Sequence, residues 1–352
     1  MTRLLAVSAV FPPHRYHQRE ITETLVHALP PGYDAGLLRR VHGSVRVEHR
    51  HLALPLERYG RQGSFGETNQ HYLQTAAELG SQALTQALAE AQLDPGETDF
   101  VLSTTITGVA TPSLEARLAA ETGLRRDVKR LPLFGLGCAG GVAGLAHLHD
   151  YLSGHPQQVG MLLSVELCSL TLQLGDLSTG NLVAGALFGD GGGALLAVGR
   201  DHPRYADPGC QVIATRSRLY PGTGHLLGWD VGEWGFRMVL DSEVPELVRL
   251  HVAEEVESFL ADHDLKPSDV TAWICHPGGP RILDVLTQAL GLPDAAFAPS
   301  RRSLAAAGNL SSASVLHILR DVQSTTPPAP GSVGLMIGFG PGFASELVLL
   351  CW

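Results

Sequence analysis

Cys138 is the side chain in this sequence whose surroundings are best suited to covalent chemistry. It lies in the stretch Gly-Leu-Gly-Cys-Ala-Gly-Gly, between a run typical of a strand (128–137) and a run typical of a helix (138–152). The unpaired N–H groups and the dipole at a helix N-terminus favour the thiolate form of a cysteine. The adjacent glycines permit a sharp turn and leave room for a substrate at the sulfur. The pattern therefore indicates a nucleophilic thiol, and a small buried cysteine is the simpler alternative.

The same glycines also satisfy the G-x-G-x-x-G fingerprint of dinucleotide-binding proteins, through Gly135, Gly137 and Gly140. A strand precedes them, a helix follows, and Glu166 closes the next strand, as that motif requires. However, the motif lies in mid-chain, and Glu166 is further from Gly140 than the usual spacing of about 20 residues. An NAD-dependent oxidoreductase therefore remains an alternative, but it leaves Cys138 without a role.

Two further polar residues, His276 and Asn309, lie in the second half of the chain. His276 ends the predicted strand 270–276, and the rigid sequence Pro-Gly-Gly-Pro after it would hold the imidazole at the carboxyl end of that strand. Ligand sites of α/β proteins tend to lie at such ends. Asn309, in the sequence Gly-Asn-Leu-Ser-Ser-Ala-Ser, is compatible with a helix N-cap and equally with a hydrogen-bond donor in a cleft. Both side chains are candidate site residues.

Other polar clusters in the sequence carry a weaker signal. His147, His149 and Asp150 resemble metal ligands, but residues two apart on a helix point away from each other, so we predict a solvated face and no metal site. A basic stretch could meet the phosphate groups of an anionic ligand, or it could simply face solvent. It consists of Arg39, Arg40, Arg46 and Arg50.

Composition and charge narrow the function classes. The chain has 352 residues and a formal net charge of −10, which argues against a protein that coats nucleic acid and needs a basic surface. Its five cysteines match no disulfide or zinc pattern, so we expect free thiols in a reducing, cytoplasmic setting. Pro12 and Pro13 stop the N-terminal apolar run, which predicts a buried strand rather than a signal peptide. No run of about 18 apolar residues occurs, so we expect no membrane insertion.

The elements that must position these residues alternate between strands and helices. The predicted strands are 3–10, 99–107, 128–137, 159–167, 270–276, 332–340 and 344–352, and the predicted helices are 70–92, 138–152, 243–263, 281–290 and 309–322. The run 186–199 predicts two strand ends around a glycine turn. This alternation indicates an α/β layer structure with largely parallel, buried strands.

The two halves of the chain resemble each other weakly. A glycine turn before a final apolar strand occurs at 189–199 and again at 338–351. That recurrence is compatible with an internal duplication that divides near residue 205. The predicted halves are 1–205, which carries Cys138, and 206–352, which carries His276 and Asn309.

Three segments, in this order, resemble the type III polyketide synthases, the chalcone-synthase-like family. They are Gly-Cys-Ala-Gly-Gly around Cys138, His-Pro-Gly-Gly-Pro-Arg-Ile-Leu from His276 and Gly-Asn-Leu-Ser-Ser-Ala-Ser-Val-Leu around Asn309, and two further family blocks lie at 187–196 and 338–350. The first hundred residues match only loosely. The resemblance implies a thiolase-like α/β fold of five layers (αβαβα), built from two duplicated halves, and a homodimer. It also implies Cys138 as nucleophile, with His276 and Asn309 as its partners.

The resemblance further implies a set of residues around a substrate cavity. Phe188 and Phe236 fall where the family has two gatekeeper phenylalanines, and Cys168 and Thr171 fall where other cavity-lining residues occur. Thr111 falls where plant members have a methionine that reaches the partner subunit's cavity. For the CoA phosphates, Arg40 is the plausible equivalent of one family contact, while the other basic contacts have no clear match here.

The implied reaction is an iterative decarboxylative condensation of malonyl-CoA onto an acyl-CoA starter, with an ionised Cys138 sulfur paired to a His276 imidazolium. CoA thioesters are the substrates, and no metal or redox cofactor is implied. We expect a fatty acyl starter and an alkylpyrone or alkylresorcinol product. The alternatives are a tetrahydroxynaphthalene or phloroglucinol-type synthase of the same family, a ketoacyl-ACP synthase III or hydroxymethylglutaryl-CoA synthase of the same fold, the NAD-dependent oxidoreductase, and a non-catalytic binding protein.

Overall fold

The structure, a computed structural model, describes residues 1–30, 33–60 and 63–352. Its strands are β1 (Thr2–Val7), β2 (His14–His17), β3 (His49–Leu52), β4 (Phe100–Thr104), β5 (Lys129–Leu133), β6 (Val159–Leu167), β7 (Asp190–Gly199), β8 (Gln211–Leu219), β9 (Leu227–Gly232), β10 (Gly235–Leu240), β11 (Val270–Cys275), β12 (Val333–Gly340) and β13 (Ala344–Cys351).

Its helices are α1 (Gln18–Ala28), α2 (Ala35–Ser44), α3 (Phe65–Ala91), α4 (Leu114–Thr122), α5 (Gly140–Gly154), α6 (Thr179–Leu187), α7 (Val244–Leu247), α8 (Ala253–Ala261), α9 (Pro280–Ala289), α10 (Ala298–Ala307) and α11 (Ser314–Thr325). A π-helical turn (Val248–Val252) joins α7 to α8. None of the described helices has the length and apolar content needed to cross a lipid bilayer.

Nine of the described strands form one sheet in the order β11-β12-β13-β8-β1-β7-β6-β4-β5. In the first half of the chain, the first strand, β1, pairs with the last, β7, and β7 pairs with β6. In the second half, β8 pairs in the same way with β13, and β13 pairs with β12. The halves meet at β1 and β8, which pair over two positions only. This repeated order is that of a thiolase-like fold. The boundary near residue 205, between β7 and β8, stays a prediction.

Helices α5 and α11 form the central layer of the molecule. Helix α5 contacts β4 and β6 of the first half and also β12 and β13 of the second half, while α11 contacts β7 and β11. Helix α3 packs on β6 and β7, and apolar residues of α8 and α9 pack with those of β11 to β13. The two halves of the nine-stranded sheet lie on either side of this central layer. The order of the layers is therefore helix, half-sheet, helix, half-sheet, helix. Because α5 is enclosed on both sides, it is apolar around most of its surface.

The prediction of largely parallel strands is wrong. Only β4–β5, β4–β6 and β11–β12 pair in parallel among the described strands of the main sheet, and the pairs in its centre are antiparallel. Strands buried on both faces are apolar throughout whichever way they run, so their sequence does not reveal their direction.

The prediction of a glycine turn within 186–199 is also wrong. Helix α6 ends at Leu187, and β7 then runs unbroken through three consecutive glycines. A Cβ on Gly193 would lie 2.7 Å from the carbonyl oxygen of Ser8 and 3.3 Å from Cβ of Leu316. The glycines therefore allow β1 and α11 to approach β7 closely, rather than turning the chain.

Several other elements differ from the predictions at their ends or were not predicted. Helix α3 begins at Phe65 rather than at residue 70, because Ser64 and Glu67 form a capping box before its first turn. The two-stranded antiparallel sheets β2–β3 and β9–β10 were not predicted. Strands β2 and β3 are rich in histidine and arginine, so no apolar run marks them in the sequence.

Candidate active site

Cys138 lies at the N-terminal end of α5, as the sequence predicts. Strand β5 is followed by a loop and a 3₁₀ turn (Gly137–Ala139) that leads directly into α5, and the Cys138 side chain is partly exposed. Gly137 has a φ of +52°, and a Cβ there would lie 2.5 Å from Cδ of Pro341. Only glycine fits this turn without strain, and the turn presents the sulfur beyond the end of the helix.

The glycines after Cys138 serve helix packing. A Cβ on Gly141 would lie 2.1 Å from the carbonyl oxygen of Ser312 and 2.6 Å from Cγ2 of Val315. Gly141 is buried in this contact between α5 and α11. Gly140, the last glycine of the dinucleotide fingerprint, is also buried, and a Cβ on it would lie 2.5 Å from Oγ1 of Thr104. The packing therefore explains these glycines without a dinucleotide.

His276 and Asn309 come from two different loops of the second half. His276 directly follows β11, donates its backbone N–H to the carbonyl of Ile337 (2.8 Å), and is 1% exposed. Asn309 follows α10, is also 1% exposed, and places its Nδ2 3.4 Å from Nε2 of His276. Its Oδ1 accepts from the backbone N–H of Ser311 (2.8 Å). Asn309 does not cap α11, which begins five residues later at Ser314.

The three candidate residues line a single cavity of about 780 Å³, which we call the His276 cavity. Cys138, His276 and Asn309 share its wall with Phe188 and Arg281. These three residues come from positions far apart in the chain, so the fold brings together the set that the sequence analysis singled out. Their catalytic roles remain predictions.

A second cavity, which we call the Cys168 cavity, meets the first at the sulfur of the candidate nucleophile. Cys138 and Phe188 line both cavities, while Cys168 and Thr171 line only this one. It encloses about 70 Å³ and is mostly apolar, with Arg50 in its wall. An acyl group on Cys138 therefore has two chambers available to it.

The structure places three of the predicted site residues outside these two cavities. Phe236 packs against Trp229, with ring centroids 5.9 Å apart, and borders a separate small pocket. Thr111 is exposed on the surface of the chain, and its contact with the partner subunit's cavity stays a prediction. Arg40 is exposed and pairs with Asp34 at 3.3 Å. The basic side chain that does line the His276 cavity is Arg281, whose only signal in the sequence is its place after Pro-Gly-Gly-Pro.

Glu166 is a buried carboxyl group whose contribution the sequence analysis missed. It accepts hydrogen bonds from the hydroxyls of Ser311 (3.1 Å), Ser312 (2.5 Å) and Thr107 (2.9 Å). The hydroxyl of Ser311 in turn accepts from Sγ of Cys138 at 3.6 Å. Burial raises the pKa of Glu166. This carboxyl group fixes the loop after Asn309 next to the sulfur, whereas the sequence analysis considered it only as the acidic residue of a dinucleotide fingerprint.

The pKa values of Cys138 and His276 differ from those of the ionised pair that the sequence analysis expects. Burial raises the pKa of the Cys138 thiol to about 12 and lowers the pKa of His276 to about 3. Each group is therefore neutral when it titrates alone. The predicted thiolate–imidazolium pair would therefore have to form by proton transfer within the pocket, where the two opposite charges and the N-terminus of α5 would stabilise it.

Within the described residues, no group of three or more His, Cys, Asp or Glu side chains is arranged to hold a metal ion. His147 and Asp150 are exposed on α5, while Nδ1 of His149 contacts Oγ1 of Thr2 at 2.9 Å. The helix turns His147 and His149 in different directions, as their spacing of two residues predicts.

Two family models match most of the chain. The model of chalcone and stilbene synthases, C-terminal domain, matches residues 211–351, and the model of FAE1/type III polyketide synthase-like proteins matches residues 59–207. The first match contains His276 and Asn309, and the second contains Cys138.

Similar proteins extend this match over the whole length. A 1,3,6,8-tetrahydroxynaphthalene synthase from Streptomyces peucetius subsp. caesius is 53% identical over 352 residues, which is 100% of this chain and 93% of that protein. A phloroglucinol synthase from Pseudomonas fluorescens is 30% identical, and the match covers 100% of this chain and 99% of that protein. The crystal structure of 1,3,6,8-tetrahydroxynaphthalene synthase from Streptomyces coelicolor A3(2) superposes with a TM-score of 0.94 at 32% identity, covering 99% of both chains. The chain therefore belongs to the type III polyketide synthases, acyltransferases of the chalcone-synthase-like family.

Proposed function

We propose that this type III polyketide synthase condenses malonyl-CoA onto an acyl group carried by the sulfur of Cys138. The observation that carries the proposal is that Cys138, His276 and Asn309 line one cavity, with Nδ2 of Asn309 3.4 Å from Nε2 of His276. A nucleophile and two hydrogen-bonding groups around one space are what thioester chemistry requires.

The first step is transfer of the starter to the enzyme. The thiol of Cys138 gives its proton to His276 while the sulfur attacks the thioester carbonyl. The carbon–sulfur bond to CoA breaks, and the CoA thiolate takes the proton from the imidazolium as it leaves. The acyl group remains on Cys138, and the His276 cavity becomes free for malonyl-CoA.

The second step is decarboxylation of malonyl-CoA. Loss of CO₂ leaves an enolate whose oxygen carries the charge, and N–H groups of His276 and Asn309 donate to that oxygen. Removal of one such donor costs roughly 3 kcal/mol of transition-state stabilisation in comparable sites. The enolate carbon then attacks the acyl thioester on Cys138 and forms the new carbon–carbon bond. The carbon–sulfur bond to Cys138 breaks, the sulfur leaves as the thiolate, and the lengthened chain is carried by CoA until it is transferred back to Cys138. Since the substrates supply the carbanion themselves, no metal or redox cofactor takes part.

We further propose that malonyl-CoA supplies the starter as well as the extender units, and that the product is a tetrahydroxynaphthalene. The relative that is 53% identical over the whole chain carries that activity in its name. The Cys168 cavity, at about 70 Å³, is also smaller than the roughly 300 Å³ of a typical ligand pocket. A fatty acyl chain would therefore extend into the His276 cavity, which malonyl-CoA needs in the proposed reaction, whereas a short starter would leave that cavity free. The fatty acyl starter preferred from the sequence has no such support.

The test is to incubate the purified protein with malonyl-CoA alone, and separately with malonyl-CoA plus acyl-CoAs of increasing chain length. We expect mass spectrometry to find a ten-carbon naphthalenetetrol from malonyl-CoA alone, and no product from the Cys138→Ala variant with an unchanged circular dichroism spectrum. Products that form only with fatty acyl-CoA would reject the malonyl starter. Polyketide formation by Cys138→Ala would reject the nucleophile.

For the CoA moiety, we propose that Arg281 binds a phosphate group. It is exposed and lines the His276 cavity, whereas Arg40 lines neither cavity. Arg281→Ala should raise the KM for malonyl-CoA about tenfold and change kcat little, because the lost contact is distant from the reacting atoms. Arg40→Ala is the matched control, and an equal rise in its KM would show that the effect is one of general charge. We also propose a homodimer, which the mass measured by light scattering would test.

A further inference from the structure

Arg50 is a buried arginine in the wall of the Cys168 cavity. It lies on β3, is 4% exposed, and lines this cavity together with Cys138. Its Nε donates to Oε1 of Gln18 at 2.9 Å. Its Nη1 donates to the carbonyl oxygens of Gly185 (2.7 Å) and Phe188 (2.8 Å). These three bonds fix the guanidinium beside the loop that carries Phe188.

The same guanidinium has two N–H groups left over. An arginine has five N–H donors, and the bonds described account for the one on Nε and the two on Nη1. Nη2 is buried and has no hydrogen-bond partner among the described residues. Asp190 acts on Arg50 only through its field, because its oxygens accept instead from the backbone N–H groups of Ala53 (2.6 Å) and Ser169 (2.7 Å). A buried charged donor without an acceptor costs free energy.

Arg50 is unusual among the polar residues of this cavity. The other hydroxyl, amide and indole groups of its lining already have protein partners; they belong to Tyr59, Thr107, Ser169, Thr171, Asn181, Trp229 and Ser311. Since Arg50 lines the Cys168 cavity, an oxygen atom of a molecule bound there is a candidate acceptor for its Nη2. Burial lowers the pKa of Arg50 to about 10, so the guanidinium stays charged at neutral pH.

We propose that Nη2 of Arg50 binds a keto or enolate oxygen of the acyl chain carried by Cys138, so that the Cys168 cavity selects oxygenated chains over alkyl chains. This inference rests on the proposed function, because it needs a chain attached to Cys138. A polyketide carries an oxygen on alternate carbons, so it can supply the missing acceptor. An alkyl chain would leave the buried Nη2 donors without one, which is the condition under which binding sites discriminate strongly.

The alternative is that Arg50 serves only as a structural clamp. Its stem packs against Gly308, where a Cβ would lie 3.2 Å from Cγ of Arg50, and its bonds hold Gln18, Gly185 and Phe188. Those contacts use only Nε and Nη1, so a structural role does not explain why the two N–H groups of Nη2 are buried without an acceptor. A clamp would also affect all acyl groups equally, and this difference separates the two roles by experiment.

The first experiment uses the unmodified protein. Loading of Cys138 is followed by intact mass with pairs of acyl-CoAs of equal length: acetoacetyl-CoA against butyryl-CoA, and 5-oxohexanoyl-CoA against hexanoyl-CoA. A hydrogen bond to a charged donor should raise the kcat/KM of loading about 10- to 100-fold for at least one keto position. Equal loading within each pair overturns the inference and leaves the proposed function standing. Failure of every acyl-CoA to load Cys138 rejects the proposed function itself.

The second experiment repeats these pairs with Arg50→Lys, which keeps the positive charge but lacks Nη2. The preference for the keto chain should fall to within about threefold of unity, while the butyryl and hexanoyl rates change much less. The matched control is Arg3→Lys, because Arg3 is a part-buried arginine that also donates to two backbone carbonyls and lines neither cavity. It should keep the preference. An equal loss for keto and alkyl chains in Arg50→Lys would show a clamp only. Should that variant not fold, the pairs on the unmodified protein decide.

Discussion

The carboxamide of Asn309 offers a sharp test of the proposed mechanism. Its Oδ1 accepts from the backbone N–H of Ser311 at 2.8 Å, and its Nδ2 lies 3.4 Å from Nε2 of His276. Asn309→Ala removes both groups at once. The loss of Oδ1 leaves a buried N–H without a partner, which should lower the free energy of unfolding by about 1 to 3 kcal/mol. The loss of Nδ2 removes a donor from the cavity that holds Cys138.

The two reaction steps should respond differently to this variant. If Nδ2 donates to the enolate oxygen, its loss removes roughly 3 kcal/mol of transition-state stabilisation, and decarboxylation of malonyl-CoA should slow 100- to 1000-fold. Loading of the starter forms no enolate. We expect it to slow less than about tenfold, through the altered surroundings of His276, since a change of 1.4 kcal/mol is tenfold in rate.

Single-turnover assays can measure both steps on the same preparation. Release of labelled CO₂ from malonyl-CoA reports decarboxylation, and intact mass reports acylation of Cys138. Asn69→Ala is the matched control, because the Asn69 carboxamide also makes paired hydrogen bonds, to the backbone of Val109, away from the sulfur. It should leave both rates within about twofold. Equal slowing of both steps in Asn309→Ala would refute the reasoning, since it would assign the carboxamide to positioning rather than to the enolate.

Two further predictions concern stability. Burial lowers the pKa of His317 to about 4, below the unfolded value of about 6.5, so the unfolded state binds the proton first as the pH falls. The stability that His317 contributes is present above pH 6.5 and is lost towards pH 4. Between pH 6.5 and pH 4, the free energy of unfolding measured in urea should fall by about 3 kcal/mol more for the unmodified protein than for His317→Gln. Parallel profiles of unfolding free energy against pH would contradict this. Gly141→Ala should lower the free energy of unfolding by at least 1 to 3 kcal/mol, because its Cβ would lie 2.1 Å from a backbone oxygen of Ser312. Gly154→Ala on the same helix meets nothing within 4 Å and should be neutral or stabilising, so similar losses in both variants would argue against the packing account.

Local patterns in the sequence located Cys138 and His276, two of the three candidate catalytic residues. The strand–glycine–cysteine–helix pattern placed Cys138 at the N-terminal end of α5, and the apolar strand before His276 placed that imidazole at a strand end. These positions depend on neighbours within a few residues, whose propensities and capping determine the local conformation. The family motifs around Cys138, His276 and Asn309 supplied the rest of the candidate set.

Other features depend on contacts between distant segments. The antiparallel centre of the sheet, the role of Gly141 in helix packing and the displacement of Phe236 from the cavities were all absent from the sequence analysis. Strand direction, close backbone approach and cavity walls are set by partners that lie far away along the chain, so no local pattern encodes them.

By itself, the sequence determined which side chains could react and which kind of element lies next to Cys138 and His276. Only the tertiary structure decided which of those side chains share a cavity, and which buried donors stay unpaired. It placed Cys138, His276 and Asn309 in one cavity wall, put Arg281 rather than Arg40 in that wall, and left Nη2 of Arg50 without a partner among the described residues. The physical reason is that hydrogen bonding and desolvation act over a few ångströms in space, whatever the separation of the residues in sequence.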